Sequence, residues 1–204
     1  GPPMTERLSL FGADGPGTEA ATGPVPSQTL FFAVLPPAEI GDRITGQRQQ
    51  MFREMGLTGN VIARDRLHLT LTLVPTDTGP LGEVVSKASA AASSVTARPF
   101  DVRFDRVLAF RSTKPKMPVV LASTVAQEAL CDLKQRLDGA LARAGLKAPR
   151  AAASFTPHVT LGYCEGFGAE QAVEPLTWRV EGFALVLSFV GQTRHEHLGT
   201  WQLR

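Results

Sequence analysis

The chain has 204 residues, 43% of them hydrophobic and 20% charged, with a formal net charge of +2. Those proportions suit one folded domain with a good core or two closely packed lobes. So small a charge gives no argument for wholesale coating of nucleic acid, though it permits a local basic cleft.

No apolar run approaches the roughly 20 residues needed to span a bilayer, and no charged-then-apolar leader opens the chain. Cys131 and Cys164 show neither metal-ligand spacing nor a disulfide framework. Reduced thiols and a cytoplasmic location are therefore expected. Gly1-Pro2-Pro3 ahead of Met4 reads as a remnant of expression. Residues 1–27, rich in Gly, Pro, Thr and Ala, read as a mobile tail, and residues 28–204 as one bilobal domain.

Thr29–Leu35 predicts a short strand ended by Pro36-Pro37. Ala38–Met55 has helical spacing at Ile40, Ile44, Met51 and Met55, with Gly56 as its stop. Arg66–Val74 predicts a strand, and Pro80 to Thr96 a second helix. Phe100, Val102 and Phe104 alternate into a strand reaching Phe110, a tip spans Arg111–Pro118, and Val119–Ser123 returns as the other arm of a hairpin. Gln127–Gly145 is the clearest helix, with Leu130, Leu133, Leu137 and Leu141 on one stripe. An Ala-rich loop and a further motif strand follow, then strands at Thr177–Phe189 and His195–Leu203. The fold class expected is α+β, with two similar lobes of antiparallel sheet and outer helices.

Two tetrapeptides carry the chemistry. His68-Leu69-Thr70-Leu71 and His158-Val159-Thr160-Leu161 each set an imidazole and a hydroxyl two residues apart in an apolar run. Side chains alternate along a strand, so His68, Thr70 and Thr72 are expected on one face and Leu67, Leu69, Leu71 and Leu73 on the other. His158, Thr160 and Gly162 repeat the arrangement, and the two strands are expected to face a central cleft between the lobes. A lone histidine at a sheet end is usually structural; two copies in matching contexts are better explained by a site. Imidazole titrates near pH 6.5, so one ring can be a base while the other is an acid. Such a pair suits displacement at phosphorus without a metal, and the Thr hydroxyls can donate to the phosphate oxygens as charge builds on them.

These residues resemble the two-histidine (2H) phosphoesterases, in particular the LigT-like branch called RNA 2′,3′-cyclic phosphodiesterase or 2′–5′ RNA ligase. Leu30-Phe31-Phe32-Ala33-Val34-Leu35-Pro36 is similar to that branch's opening strand, and Pro99-Phe100 with the alternation after it to its central hairpin. Leu137–Gly145 and Phe155-Thr156-Pro157-His158-Val159-Thr160-Leu161 resemble its second helix and motif, and Gly191–Leu203 its closing strands. The resemblance runs from about Thr29 to the C-terminus. It implies opening of 2′,3′-cyclic phosphates on RNA ends or nucleotides to 2′-phosphate products, with His68, Thr70, His158 and Thr160 as catalytic residues. His158 would be the base and His68 the acid, an assignment the residues alone leave open. Implied partners are RNA ends or cyclic nucleotides, with no membrane, no cofactor, no metal and a monomeric chain. Leu73-Val74-Pro75, Arg66 and Tyr163 depart from the branch's usual Phe-Leu-Gly, Asn and Arg. A non-catalytic RNA- or nucleotide-binding module on the same fold is the alternative, though binding alone needs no pair of titratable rings.

Three further residues are candidate substrate contacts. Arg66 shares the parity of His68 and either aims at the phosphate or lies on the surface. Phe32 is either a core residue or a stacking platform for a base. Arg111, with Lys114 and Lys116 at the hairpin tip, either touches the RNA backbone or only keeps the tip soluble. Tyr163 is expected to pack, facing away from His158. His195-x-His197 could hold a metal, but no acidic or Cys cluster accompanies it, and a solvated strand is the plainer reading.

Overall fold

The computed structural model describes residues 28–147 and 155–204. The expected tail at 1–27 and most of the Ala-rich loop lie outside the described residues. In chain order the elements are β1 (Gln28–Val34), α1 (Ala38–Met55), β2 (Thr58–Val61), β3 (Leu69–Val74), α2 (Leu81–Ser93), β4 (Phe100–Ala109) and β5 (Met117–Ala122). Helix α3 (Glu128–Arg143), β6 (Val159–Glu165), β7 (Gln171–Val180), β8 (Gly182–Phe189) and β9 (Arg194–Gln202) complete it, an α+β arrangement.

The helices form where their apolar spacing predicts. Ile40, Ile44 and Met51 are buried along α1, and Leu130, Leu133, Leu137 and Leu141 along α3. Gly56 ends α1 in the left-handed region (φ +66°), where its N–H bonds the Arg53 carbonyl and the Leu57 N–H that of Phe52. Their buried side chains join the apolar face of the sheet in one large core.

The strands form a nine-stranded sheet in the order β7-β4-β5-β6-β3-β1-β8-β9, with β2 paired to β6 off that path. Its paired strands are antiparallel. Five strands, β2 among them, lie on the β6 side of the junction between β6 and β3 and four on the β3 side, and the junction is a single paired position, Leu69 opposite Val159. The two halves therefore meet at the residues that follow His68 and His158. Elsewhere the ladders are longer, so the junction is the narrowest point of the sheet.

Both motif strands carry a bulge at the fourth motif residue. Thr72 pairs with Phe32 but Thr70 with Ala33, so Leu71 is the extra residue of β3. Gly162 pairs with Val119 but Thr160 with Val120, so Leu161 is the extra residue of β6. A bulge breaks the alternation beyond it. The expectation that Thr72 shares the face of His68 and Thr70 is thereby corrected: Thr72 is buried opposite Phe32, which belongs to the main core, while Leu73 packs against Phe31 on the other face.

Other boundaries differ for local reasons. The first motif strand starts at Leu69, because Arg64–Arg66 forms a 3₁₀ turn. The predicted strand Thr177–Phe189 is two strands joined at Glu181. Gly182 lets the start of β8 lie close against β9, since a Cβ there would come within 2.6 Å of the Trp201 carbonyl oxygen. Strand β2 has no apolar alternation and its four residues are exposed, so it carried no signal. It exists because Gly59 and Gly162 let it approach β6: a Cβ on Gly162 would meet the Asn60 carbonyl oxygen at 2.6 Å. No helix among the described residues is long and apolar enough to cross a membrane.

Candidate active site

The junction pair fixes how the motifs face each other. Leu69 and Val159 are in the main core, so their flanking residues point to the opposite face. In an antiparallel pair the order reverses across the strands. His68 thus lies toward Thr160, and Thr70 toward His158, around a local two-fold axis. His68 and His158 are diagonal neighbours in this arrangement, a relation that places residues about 7–8 Å apart.

Each imidazole is held in the same way. The His68 Nδ1–H donates to the Arg66 carbonyl oxygen at 2.7 Å, and the His158 Nδ1–H donates to the Thr156 carbonyl oxygen at 2.8 Å. A carbonyl can only accept, so each bond places the hydrogen on Nδ1 and makes Nε2 the basic nitrogen of a neutral ring. The local sequences favour this bond. Arg66 closes the 3₁₀ turn and Thr156 precedes Pro157, which holds it extended. Each ring also lies against a phenylalanine: Phe31 with His68 at 5.0 Å between centroids, and Phe110 with His158 at 4.8 Å.

Both histidines are buried, at 5% and 6% exposure, and Thr160 is buried with them while Thr70 is half-exposed. Burial pushes the His158 imidazole down from 6.5 to about 4; its hydrogen bond to Thr156 opposes the fall, and the charge of His68 reinforces it. His158 is accordingly neutral at pH 7, with Nε2 able to accept a proton.

Arg48 steadies the second motif from beneath. It lies on the buried stripe of α1 and donates from Nη1 to the Ile62 carbonyl at 2.6 Å and the Leu161 carbonyl at 3.2 Å. Leu161 is the bulge residue of β6, and its carbonyl also accepts from the Ile62 N–H at 3.0 Å. Burial lowers the Arg48 pKa, as expected for a guanidinium drawn into a core.

The remaining expected contacts fare differently. Phe32 is fully buried in the core, packed edge-on against Phe183 and Trp201, and so is no base platform; Phe31 holds the site face instead. Arg66 is buried in the turn before β3, so it is neither a surface residue nor part of the strand. Arg111 is exposed, one residue beyond the Phe110 that touches His158. Tyr163 packs in the core. Cys164 is also buried there, and burial raises its thiol to about 11, which keeps it protonated.

His195 is the residue that the sequence undervalued. Its ring lies 5.3 Å from that of His68 and 5.8 Å from that of Phe31, edge-on to each. Strands β8 and β1 separate β9 from β3, and three strand spacings in a flat sheet would span about 14 Å. The two side chains reach toward each other across that span, with Phe31 of β1 in ring contact with both. No group of three or more His, Cys, Asp or Glu able to hold a metal is found among the described residues.

A family model described as the 2′-5′ RNA ligase superfamily matches residues 36–188. The crystal structure of E. coli LigT complexed with 3′-AMP aligns with a TM-score of 0.65 and 28% identity, over 86% of this chain and 97% of that one. The phosphate complex of the same protein gives 0.64 at the same identity and coverage. TT0787 of Thermus thermophilus reaches 0.67 at 23% identity, over 86% and 98%, a likeness of fold. Comparison with curated protein sequences gives no match. The repeated His-x-Thr strands, the antiparallel sheet and the span of the family match agree: the chain belongs to the 2′-5′ RNA ligase superfamily, among its LigT-like two-histidine phosphoesterases.

Proposed function

We propose that the protein opens 2′,3′-cyclic phosphates on RNA ends or nucleotides, without a metal, to leave the phosphate on O2′. The substrate sits across the β3–β6 junction, in a cleft between the two halves, with its phosphorus between the two Nε2 atoms. His158, neutral, takes a proton from water as the water oxygen bonds to phosphorus. The P–O3′ bond breaks, and His68, as imidazolium, delivers its proton to O3′. One proton enters the pair and one leaves it, so each ring ends in the state the other began in. Thr70 and Thr160 donate to the non-bridging oxygens as charge accumulates there. Arg111 and its neighbours Lys114 and Lys116 meet the backbone of a longer RNA, and Arg66 lends positive charge beside His68. The chain acts as a monomer in the cytoplasm.

The observation that carries this reading is the matched anchoring of the two imidazoles on either side of the Leu69–Val159 pair, each held through Nδ1. The depressed pKa of His158 supports its assignment as the base. His68→Ala and His158→Ala should each lower kcat a hundredfold or more, and the double variant little further, since the pair acts as a unit. A substrate with a very good leaving group needs little acid help and should rescue His68→Ala far more than His158→Ala. Near-full activity in either variant would place the chemistry elsewhere, and preferential rescue of His158→Ala would reverse the roles.

A further inference from the structure

We propose that His195 is a third phosphate-contacting residue of this site, an imidazole that takes up a proton when an anion binds beside His68. The inference deepens the phosphoesterase reading and rests on it.

Position is the first argument. Along Arg194–Leu198 the other residues are exposed, and His195 alone is drawn in to half-burial. What draws it in is the ring cluster: Phe31 lies at 5.0 Å from His68 and tilted by 31°, and His195 is edge-on to both at 5.8 Å and 5.3 Å. A solvated strand near a turn would have no such neighbours. An anion at His68 therefore lies within a side chain's length of the His195 ring.

Charge is the second. On its own strand, Arg194 and Glu196 pair with each other at 3.2 Å, and alternation turns both away from the face of His195. His197 shares the parity of His195 but is exposed. Strands β8 and β1, which lie between it and His68, carry no charged residue. From the approach to β3 come His68 itself and Arg66, whose carbonyl anchors it. A tetrahedral anion that meets the polar edges of both rings favours the imidazolium form of each. Binding must then be linked to proton uptake at His195, besides any at His68.

Tyr163 gives the idea its chemical sense. Tyr163 is a core residue and strand β6 carries neither Arg nor Lys, so the second motif strand brings no cation to the phosphate. His195 supplies a cationic donor from the other half of the sheet, one that is present at low pH and withdrawn as the pH rises.

Sulfate is a suitable probe, being a tetrahedral dianion with no proton to exchange near neutrality. Its affinity is measured by NMR titration between pH 5.5 and 7.5 for the wild type, His195→Gln, which keeps a donor, and His195→Phe, which keeps the ring contacts. The wild-type affinity should fall more steeply with rising pH than that of either variant, by up to about tenfold per pH unit, the slope of one linked proton. At pH 5.5 His195→Phe should bind about tenfold more weakly, the scale of a lost hydrogen bond to a charged group, and His195→Gln, which keeps a donor but not the charge, should fall between it and the wild type. Equal pH slopes in all three proteins, or a wild type that binds no sulfate, would overturn the proposal. Turnover of a 2′,3′-cyclic nucleotide by the wild type is measured alongside. If turnover is absent while the sulfate linkage persists, the reaction fails and the anion site stands.

Discussion

The depressed pKa of His158 makes stability depend on pH in a way that can be worked out. The folded protein holds its imidazole neutral down to about pH 4, whereas the unfolded chain protonates it near 6.5. Between those values the unfolded state binds more protons, so stability rises with pH across that window. The contribution is fully present above 6.5, falls progressively as the pH drops toward 4, and is lost below it. A difference of this size is worth about 3 kcal/mol, a large part of the roughly 5–15 kcal/mol typical of a domain. Carboxylates titrate over the same range, so the comparison is with His158→Asn, which can still donate to the Thr156 carbonyl. Urea unfolding followed by the fluorescence of Trp178 and Trp201 at pH 7, 6, 5 and 4 gives both curves. The wild type should lose about 3 kcal/mol more than the variant across the series. Parallel curves, or a His158 Cε1 proton resonance that titrates near 6.5, would refute the claim that burial governs this ring.

Thr70→Ala and Thr160→Ala should lower kcat by about 10- to 100-fold, with KM little changed, because their hydrogen bonds strengthen only as charge develops; steady-state kinetics on a cyclic nucleotide checks this. Arg48→Leu strands the Ile62 carbonyl and weakens the hold on the Leu161 bulge, so it should destabilise the fold by about 2–4 kcal/mol in urea unfolding. It should also lower kcat more than a surface substitution such as Arg143→Leu. The acid limb of the kcat/KM profile should lie well below pH 6.5, following His158, and should move in Phe110→Ala, which lets water reach that ring.

The candidate site is legible in the sequence because its motif is written twice. The His-x-Thr copies name their own residues, and the same Nδ1 anchoring and bulge appear in both places. Helices α1 and α3 were legible because burial imposes the 3.6-residue period on them. Even Arg48 left a trace, since it falls on the apolar stripe of Ile40, Ile44 and Met51, where an unpaired charge would be costly. What period alone cannot carry was lost. A bulge inserts one residue without changing composition, so alternation alone puts Thr72 on the wrong face. In β1 the adjacent Phe31 and Phe32 look alike, and only the ladder to β3 decides which one meets His68. His195 lies far from His68 in sequence, and the strand order that brings their rings together cannot be read locally.

The central claim is that two imidazoles, acting without a metal, open a cyclic phosphate with O3′ as the leaving group. The most direct measurement is ³¹P NMR of 2′,3′-cyclic AMP incubated with the protein in excess chelator. The account predicts undiminished turnover and a single new phosphomonoester resonance, that of 2′-AMP. A folded protein that leaves the cyclic ester intact, or loses its activity on chelation, would contradict the account, and 3′-AMP as the product would contradict the direction of ring opening.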